Sequence, residues 1–157
     1  MKIYGEGEWK VRQHGASKRR TWRKLHLGGD PETGEILAVT LTENNISDDA
    51  VVHNLLGQIE GTLRSCAGDG AYDKRKVYEA LNANSPEVAI LIPPRKDAHI
   101  WQHGNSKKER HKHHENLRYI RQRGRRTWKE DVGYHIRSLA ETIMFRLKTI
   151  FGDKLSA

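Results

Sequence analysis

Tyr134-His135-Ile136-Arg137-Ser138-Leu139-Ala140-Glu141-Thr142-Ile143-Met144-Phe145-Arg146-Leu147-Lys148 is the stretch around which the rest of the chain is read. At about 100° per residue it makes an amphipathic helix. Ile136, Leu139, Ala140, Ile143, Leu147 and Ile150 fall on one face, which is expected to bury. Tyr134, Arg137, Glu141 and Lys148 fall on another line, within roughly 60° of each other. Gly133 loosens the chain before the helix, and Gly152 after Phe151 fits a C-terminal stop. As a solvated face, the polar line holds an ordinary i,i+4 pair, Arg137 and Glu141, in the less favourable order. As chemistry, a tyrosine, a carboxylate and two cations in one row suit a metal-bound phosphate. The carboxylate would meet the ion, the cations the phosphate oxygens, and the phenol would serve as a hydrogen-bond partner.

Upstream of this helix the chain alternates short strands and helices. Residues 1–4 start abruptly, as if a strand or loop were entered midway, and Gly5-Glu6-Gly7 is turn-like. Residues 21–27 and 35–42 read as strands, with Ile36, Ala38 and Leu41 set against Val39. The Asp30-Pro31-Glu32-Thr33-Gly34 run between them is a turn, so Asp30 is assigned turn chemistry rather than catalysis. Ser47 opens a helix to about Glu60, with Val51, Val52, Leu55, Leu56 and Ile59 inward and Gly61 as its stop. Residues 63–68 form a strand of small residues that delivers Asp69 to its end. A carboxylate there, followed by Gly70, either holds a metal or closes a turn. Asp73 is expected to cap a helix over 74–84. Residues 88–92 are a continuous aliphatic run, a buried strand stopped by Pro93-Pro94. Arg95 and Lys96 follow, in reach of a phosphate. Residues 97–115 read as an irregular, basic loop rich in histidine (His99, His103, His111, His113 and His114). Without a cysteine partner or a common spacing, that cluster is not assigned to zinc. Asn116 is expected to cap a helix to Arg123, and Gly124 interrupts it. Hairpin, helix, strand, helix, strand and helices in that order suit an α/β fold with a central mixed sheet and flanking helices.

The 157 residues suit one domain with a real core. A net charge of +8 favours a polyanionic partner, nucleic acid first. Arg19, Arg20, Arg23 and Lys24, interleaved with Trp9 and Trp22, read as a DNA-backbone surface. Arg95, Lys96, Arg125 and Arg126 join them as DNA-binding candidates. A single cysteine, Cys66, excludes an intrachain disulfide and reads as a packing residue. The longest apolar run, Val88 to Ile92, is far too short to span a bilayer, so an acidic membrane surface stands second to nucleic acid and no membrane partner is expected. No zinc-finger or helix-turn-helix pattern is present.

Tyr134, two residues, Arg137, three residues, Glu141, six residues, Lys148 resembles the signature of bacterial insertion-sequence transposases of the DDE superfamily. The resemblance covers nearly the whole chain. It includes Tyr4-Gly5-Glu6-Gly7-Glu8-Trp9-Lys10, Arg19-Arg20-Thr21-Trp22-Arg23-Lys24-Leu25-His26-Leu27, Asp69-Gly70-Ala71-Tyr72-Asp73, Ile92-Pro93-Pro94-Arg95-Lys96 and Phe151-Gly152-Asp153-Lys154-Leu155.

The resemblance implies a ribonuclease-H-like fold and one catalytic domain over residues 1–157. It implies metal-dependent strand cleavage and strand transfer during DNA-mediated transposition, with Mg2+ or Mn2+ as cofactor. Asp69 would be the family's second aspartate and Glu141 its glutamate, both metal ligands. Arg137 and Lys148 would hold DNA phosphates, and Tyr134 would be a secondary contact. The family's first aspartate belongs to an Asp-Ser-Thr-Gly-type word preceding the segment that is Lys2-Ile3-Tyr4-Gly5 here. The expectation is therefore a chain truncated at its N-terminus, lacking the first strand, the first aspartate and the region that recognises DNA ends. Implied partners are insertion-sequence ends and target DNA, a second copy, or a full-length transposase. The implied location is the bacterial cytoplasm, at the nucleoid. The alternative is a catalytically inactive chain that binds DNA or inhibits intact transposase.

Overall fold

The computed structural model describes residues 2–4, 22–101 and 111–151. Arg19, Arg20, Gly5-Glu6-Gly7, His103 and Gly152 lie outside the described residues. The chain divides into two compact units, Met1–Ile59 with Ser138–Ala157, and Glu60–Arg137.

The first unit is built on an antiparallel sheet in the order β1 (Lys2–Tyr4), β2 (Trp22–Gly29), β3 (Ile36–Glu43). The β2–β3 hairpin pairs Leu25 with Leu41 and Leu27 with Val39, and its register shifts at Gly28/Gly29. The turn is closed by Asp30 as expected: its carboxylate Oδ1 accepts the Glu32 N–H at 2.7 Å, and its carbonyl accepts the Gly34 N–H at 2.9 Å. Of the hairpin residues expected inward, Ala38 is buried, but Ile36 and Leu41 are about half exposed. A single α/β layer can cover only one face, and the bulge at Gly28/Gly29 displaces Ile36 from the alternation. A 3-10 turn, Asp48–Val51, leads into α1 (Val52–Leu56). Ser47 makes no side-chain cap, and the helix stops at Leu56 rather than near Glu60. The Gln58 and Ile59 amides return to the carbonyls three residues back, which tightens the turn and ends the helix.

The second unit contains a parallel pair, β4 (Ser65–Ala67) and β5 (Ala89–Leu91), joined through a 3-10 turn at Gly70–Tyr72 and α2 (Arg75–Asn84). The aliphatic run behaves as read: Val88, Ile90, Leu91 and Ile92 are all buried. They meet Val77, Tyr78 and Leu81 on the inner face of α2, also buried. Lys74 occupies the cap position of α2 without a side-chain cap bond, so Asp73 does not cap that helix.

α3 runs Lys112–Arg123, with its cap at His111, five residues before the Asn116 cap expected. The physical reason is an imidazole acting as cap: His111 Nδ1 accepts the His113 N–H at 3.3 Å. Gly124, at φ +89° and ψ 156°, breaks the path in a conformation restricted to glycine, and α4 (Arg125–Asp131) follows. Gly133 takes a left-handed φ of +67° before the 3-10 turn Tyr134–Ile136. α5 (Arg137–Phe151) then begins. Among the described residues there are thus five α-helices and two small sheets, a mixed α/β arrangement.

The face of α5 expected to bury does so only in part. Ile143 is buried, while Leu139, Ala140 and Ile150 are exposed. Ile143 seats on Gly29, where a Cβ would stand 2.4 Å from Ile143 Cδ1. The glycine is what lets the helix approach the sheet.

Candidate functional site

Asp69 stands just beyond the C-terminal end of β4, where open α/β sheets gather their ligands. Its backbone is extended, and its carboxylate Oδ1 accepts the Ala71 N–H at 2.8 Å. No described residue donates to Oδ2. The main chain on both sides of Asp69 is held by side chains from distant elements. Tyr134 Oη donates to the Gly68 carbonyl at 3.1 Å. Arg95 Nε donates to the Gly70 carbonyl at 3.1 Å. A side chain at Gly68 would be tight, with a Cβ 3.2 Å from Tyr72 Cδ2 and 3.4 Å from Ile92 Cγ1.

Behind this turn lies a polar core. Asp73 is buried, with Oδ2 accepting the Arg95 N–H at 2.7 Å and Oδ1 lying 3.2 Å from His113 Nε2. Tyr78 Oη reaches the same carboxylate at 3.4 Å and the Ile92 carbonyl at 3.3 Å. Burial opposes ionisation of Asp73, but the contacts with His113, the Arg95 N–H and Tyr78 outweigh it and hold the carboxyl below its usual range. Burial, reinforced by Asp73, pushes the Tyr78 phenol far up. Trp101 stacks on His113, centroids 3.7 Å apart, and its backbone N–H donates to His114 Nε2 at 2.7 Å. Burial pushes His114 down to about 4, with His113, His111, Arg118 and Arg75 adding to the shift. His113 and His114 therefore belong to the packed start of α3 and to the core, not to an irregular loop.

Asn116, read as a cap, is a bracket inside α3. Its Nδ2 donates to the Ile90 carbonyl on β5 at 3.0 Å, and its Oδ1 accepts from Trp128 Nε1 at 3.2 Å. The fully buried Trp128 ring packs on Tyr134, centroids 5.8 Å apart. None of Asp73, His113, Asn116 or Trp128 was assigned a supporting role from sequence. A signal existed for Trp128: it is the only large apolar residue of a short, charged helix, so burial is the one environment that accounts for it.

The signature side chains divide between units. Tyr134 and Arg137 close the second unit, and Glu141 and Lys148 belong to the first. Along α5, Arg137, Glu141 and Lys148 keep the shared face that their spacing predicts. Glu141 and Lys148 are exposed and Arg137 is half-buried. The basic candidates differ in how they are held. Lys24 Nζ donates to the Ile46 carbonyl at 2.7 Å and lies 3.5 Å from Asp48. Arg125 Nη2 donates to the Pro94 carbonyl at 2.5 Å. Arg126 pairs with Glu130 at 3.0 Å in an exposed i,i+4 contact. Arg23, Arg95 and Lys96 are exposed. Burial pushes the Cys66 thiol up to about 11, in keeping with packing rather than reactivity.

The family model described as Transposase DDE domain matches residues 1–157. The chain belongs to the DDE transposase family. Membership implies DNA as the partner of this transposase domain. No solved structure matches the chain. Among the described residues no helix is long and apolar enough to cross a membrane. Nor is any group of three or more His, Cys, Asp and Glu side chains placed there to hold a metal ion.

The transposase domain's donors nevertheless suit a divalent ion in kind. Hard ions take carboxylate oxygens, and Asp69 presents one oxygen outside its turn hydrogen bond. Asp69 is the residue of the second unit that would offer a carboxylate oxygen to such an ion. When bound, such an ion supplies Lewis acidity toward phosphate oxygens. The chain's own contribution is to fix the Asp69 carboxylate by the Ala71 N–H and to offer cationic side chains for phosphates.

Proposed function

We propose that this chain is catalytic-domain sequence of a bacterial insertion-sequence transposase with a ribonuclease-H-like core, acting in metal-dependent DNA strand cleavage and strand transfer. Asp69 and Glu141 are the metal carboxylates, with Mg2+ or Mn2+ as the ion. Arg137 and Lys148 hold DNA phosphates, and Arg19, Arg20, Arg23, Lys24, Arg95, Lys96, Arg125 and Arg126 supply the wider DNA surface. Residues 1–157 act as one functional domain, alone, as a homo-oligomer or with a full-length transposase. The observation that carries this reading is Asp69, a turn-fixed carboxylate at the C-terminal end of a parallel strand within a family defined by such acids.

A second reading keeps the same family: a catalytically inactive chain that binds DNA, or joins intact transposase and inhibits it, without cutting. Incubating the chain with labelled duplex DNA and Mg2+ separates the two. Cleavage that chelator removes, and that Asp69→Asn and Glu141→Gln each abolish, supports the enzyme. DNA retention with no cleavage at any metal concentration supports the binder. Cleavage that survives both substitutions sinks the site assignment.

A further inference from the structure

We propose that Tyr134 and Arg95 are positioning residues for Asp69, clamping the carbonyls on either side of it; this rests on the reading of Asp69 as a metal ligand. The Tyr134 hydroxyl is 3.1 Å from the Gly68 carbonyl, and the Arg95 Nε is 3.1 Å from the Gly70 carbonyl. Between them the carboxylate is fixed by the Ala71 N–H at 2.8 Å. Three residues of main chain are thus held at each step by a directional bond, and free rotation of the strand end is removed.

Each clamp is anchored in its turn. Tyr134 packs on Trp128, whose indole N–H binds Asn116, which binds the Ile90 carbonyl on β5. The phenol is therefore registered against the strand beside β4. Arg95 is registered by its own N–H, which donates to buried Asp73 at 2.7 Å. Both clamps thereby refer the Asp69 turn to β5 and the segment that follows it. This gives Tyr134 a role different from a phosphate contact: its hydroxyl proton points to main chain one residue before the carboxylate. It also gives Arg95 a task that its charge alone does not perform, because the Nε–H direction is what meets Gly70. Groups that orient a metal ligand without touching the ion shift metal affinity strongly.

The test uses the whole chain and Mn2+ as probe, with binding read from the loss of the free Mn2+ paramagnetic signal. Asp69→Asn is expected to abolish uptake. Tyr134→Phe keeps the ring on Trp128 and loses the hydroxyl. Arg95→Lys keeps the charge and loses the Nε–H. Each is expected to weaken Mn2+ binding about tenfold, with an unchanged melting temperature and faster amide exchange at Ala71. If both variants bind Mn2+ as the parent does while Asp69→Asn does not, the clamps are overturned and the metal reading stands. If Asp69→Asn binds like the parent, or the parent binds no Mn2+, the metal reading fails. The Ala71 exchange rate then shows whether the clamps hold the turn at all, and unchanged exchange overturns them too. A lower melting temperature with parent-like Mn2+ affinity in the folded protein would reduce both residues to structural supports and overturn the proposal. Should Tyr134→Phe fail to fold, Arg95→Lys, a change at an exposed side chain, decides the matter.

Discussion

At the scale of single residues, His114 makes the sharpest demand on its surroundings. Its Nε2 accepts the Trp101 N–H, so the folded state requires that nitrogen unprotonated. Burial among His111, His113, Arg118 and Arg75 lowers it from 6.5 to about 4. A histidine depressed in the folded state binds its proton more readily once unfolded. Its stabilising contribution is complete above pH 6.5 and is lost as pH falls from there toward 4. Urea midpoints measured across that window should fall with acid, and His114→Gln should flatten the decline. A parent protein with a level midpoint from pH 7 to pH 4 would contradict the hydrogen bond. Asp73 adds its own loss only at lower pH, since its carboxyl lies below the usual range.

Among elements, the approach of α5 to the hairpin turns on one missing methyl group. A Cβ at Gly29 would meet Ile143 Cδ1 at 2.4 Å and the Glu35 carbonyl at 3.2 Å. Gly29→Ala should therefore destabilise the protein by about 1–3 kcal/mol through overpacking. Adding Ile143→Val, which removes the clashing Cδ1, should recover part of that loss in denaturant titrations. Additive losses would mean that the helix does not seat there. The same element shows what could be read from sequence. The 3.6-residue period places a helix over 134–148; its first three residues are a 3-10 turn and the α-helix starts at Arg137, but the period chose Ile143 correctly, because it records which residues share a face. It does not record how wide a partner surface will be, and Leu139 and Ile150 stay exposed. Likewise 88–92 was legible as a buried strand because an unbroken aliphatic run has few other homes. Asp69 was legible at a strand end. The groups that hold its turn were not, since Tyr134 and Gly68 stand 66 positions apart and no local pattern links them. Composition counts an imidazole as hydrophilic and so leaves His113 and His114 in a polar loop, whereas the His113 ring stacks as a flat plate against Trp101.

For the whole molecule, the net charge of +8 sets how DNA affinity responds to salt. Each phosphate neutralised contributes about −0.9 to the slope of log affinity against log salt. Arg126, whose side chain is 92% exposed, should carry such a contact, and Arg126→Gln should make the slope shallower by about one. Lys24 shares its ammonium with the Ile46 carbonyl and Asp48, so Lys24→Gln should make the slope shallower by less than Arg126→Gln does. Filter binding of duplex DNA over a salt series checks both, and equal changes for the two would show that burial of the head group does not govern contact. The long reach from Gly68 to Tyr134 has a further consequence, one of timing. A ribosome makes the chain from its N-terminus, so β4, α2 and β5 leave the exit tunnel well before residue 134 does. Their parallel pair closes through the α2 crossover, which brings its own hydrophobic partners. The hydroxyl that steadies the turn emerges more than sixty residues after Gly68. A nascent chain would thus carry Asp69 well before the group that steadies its turn.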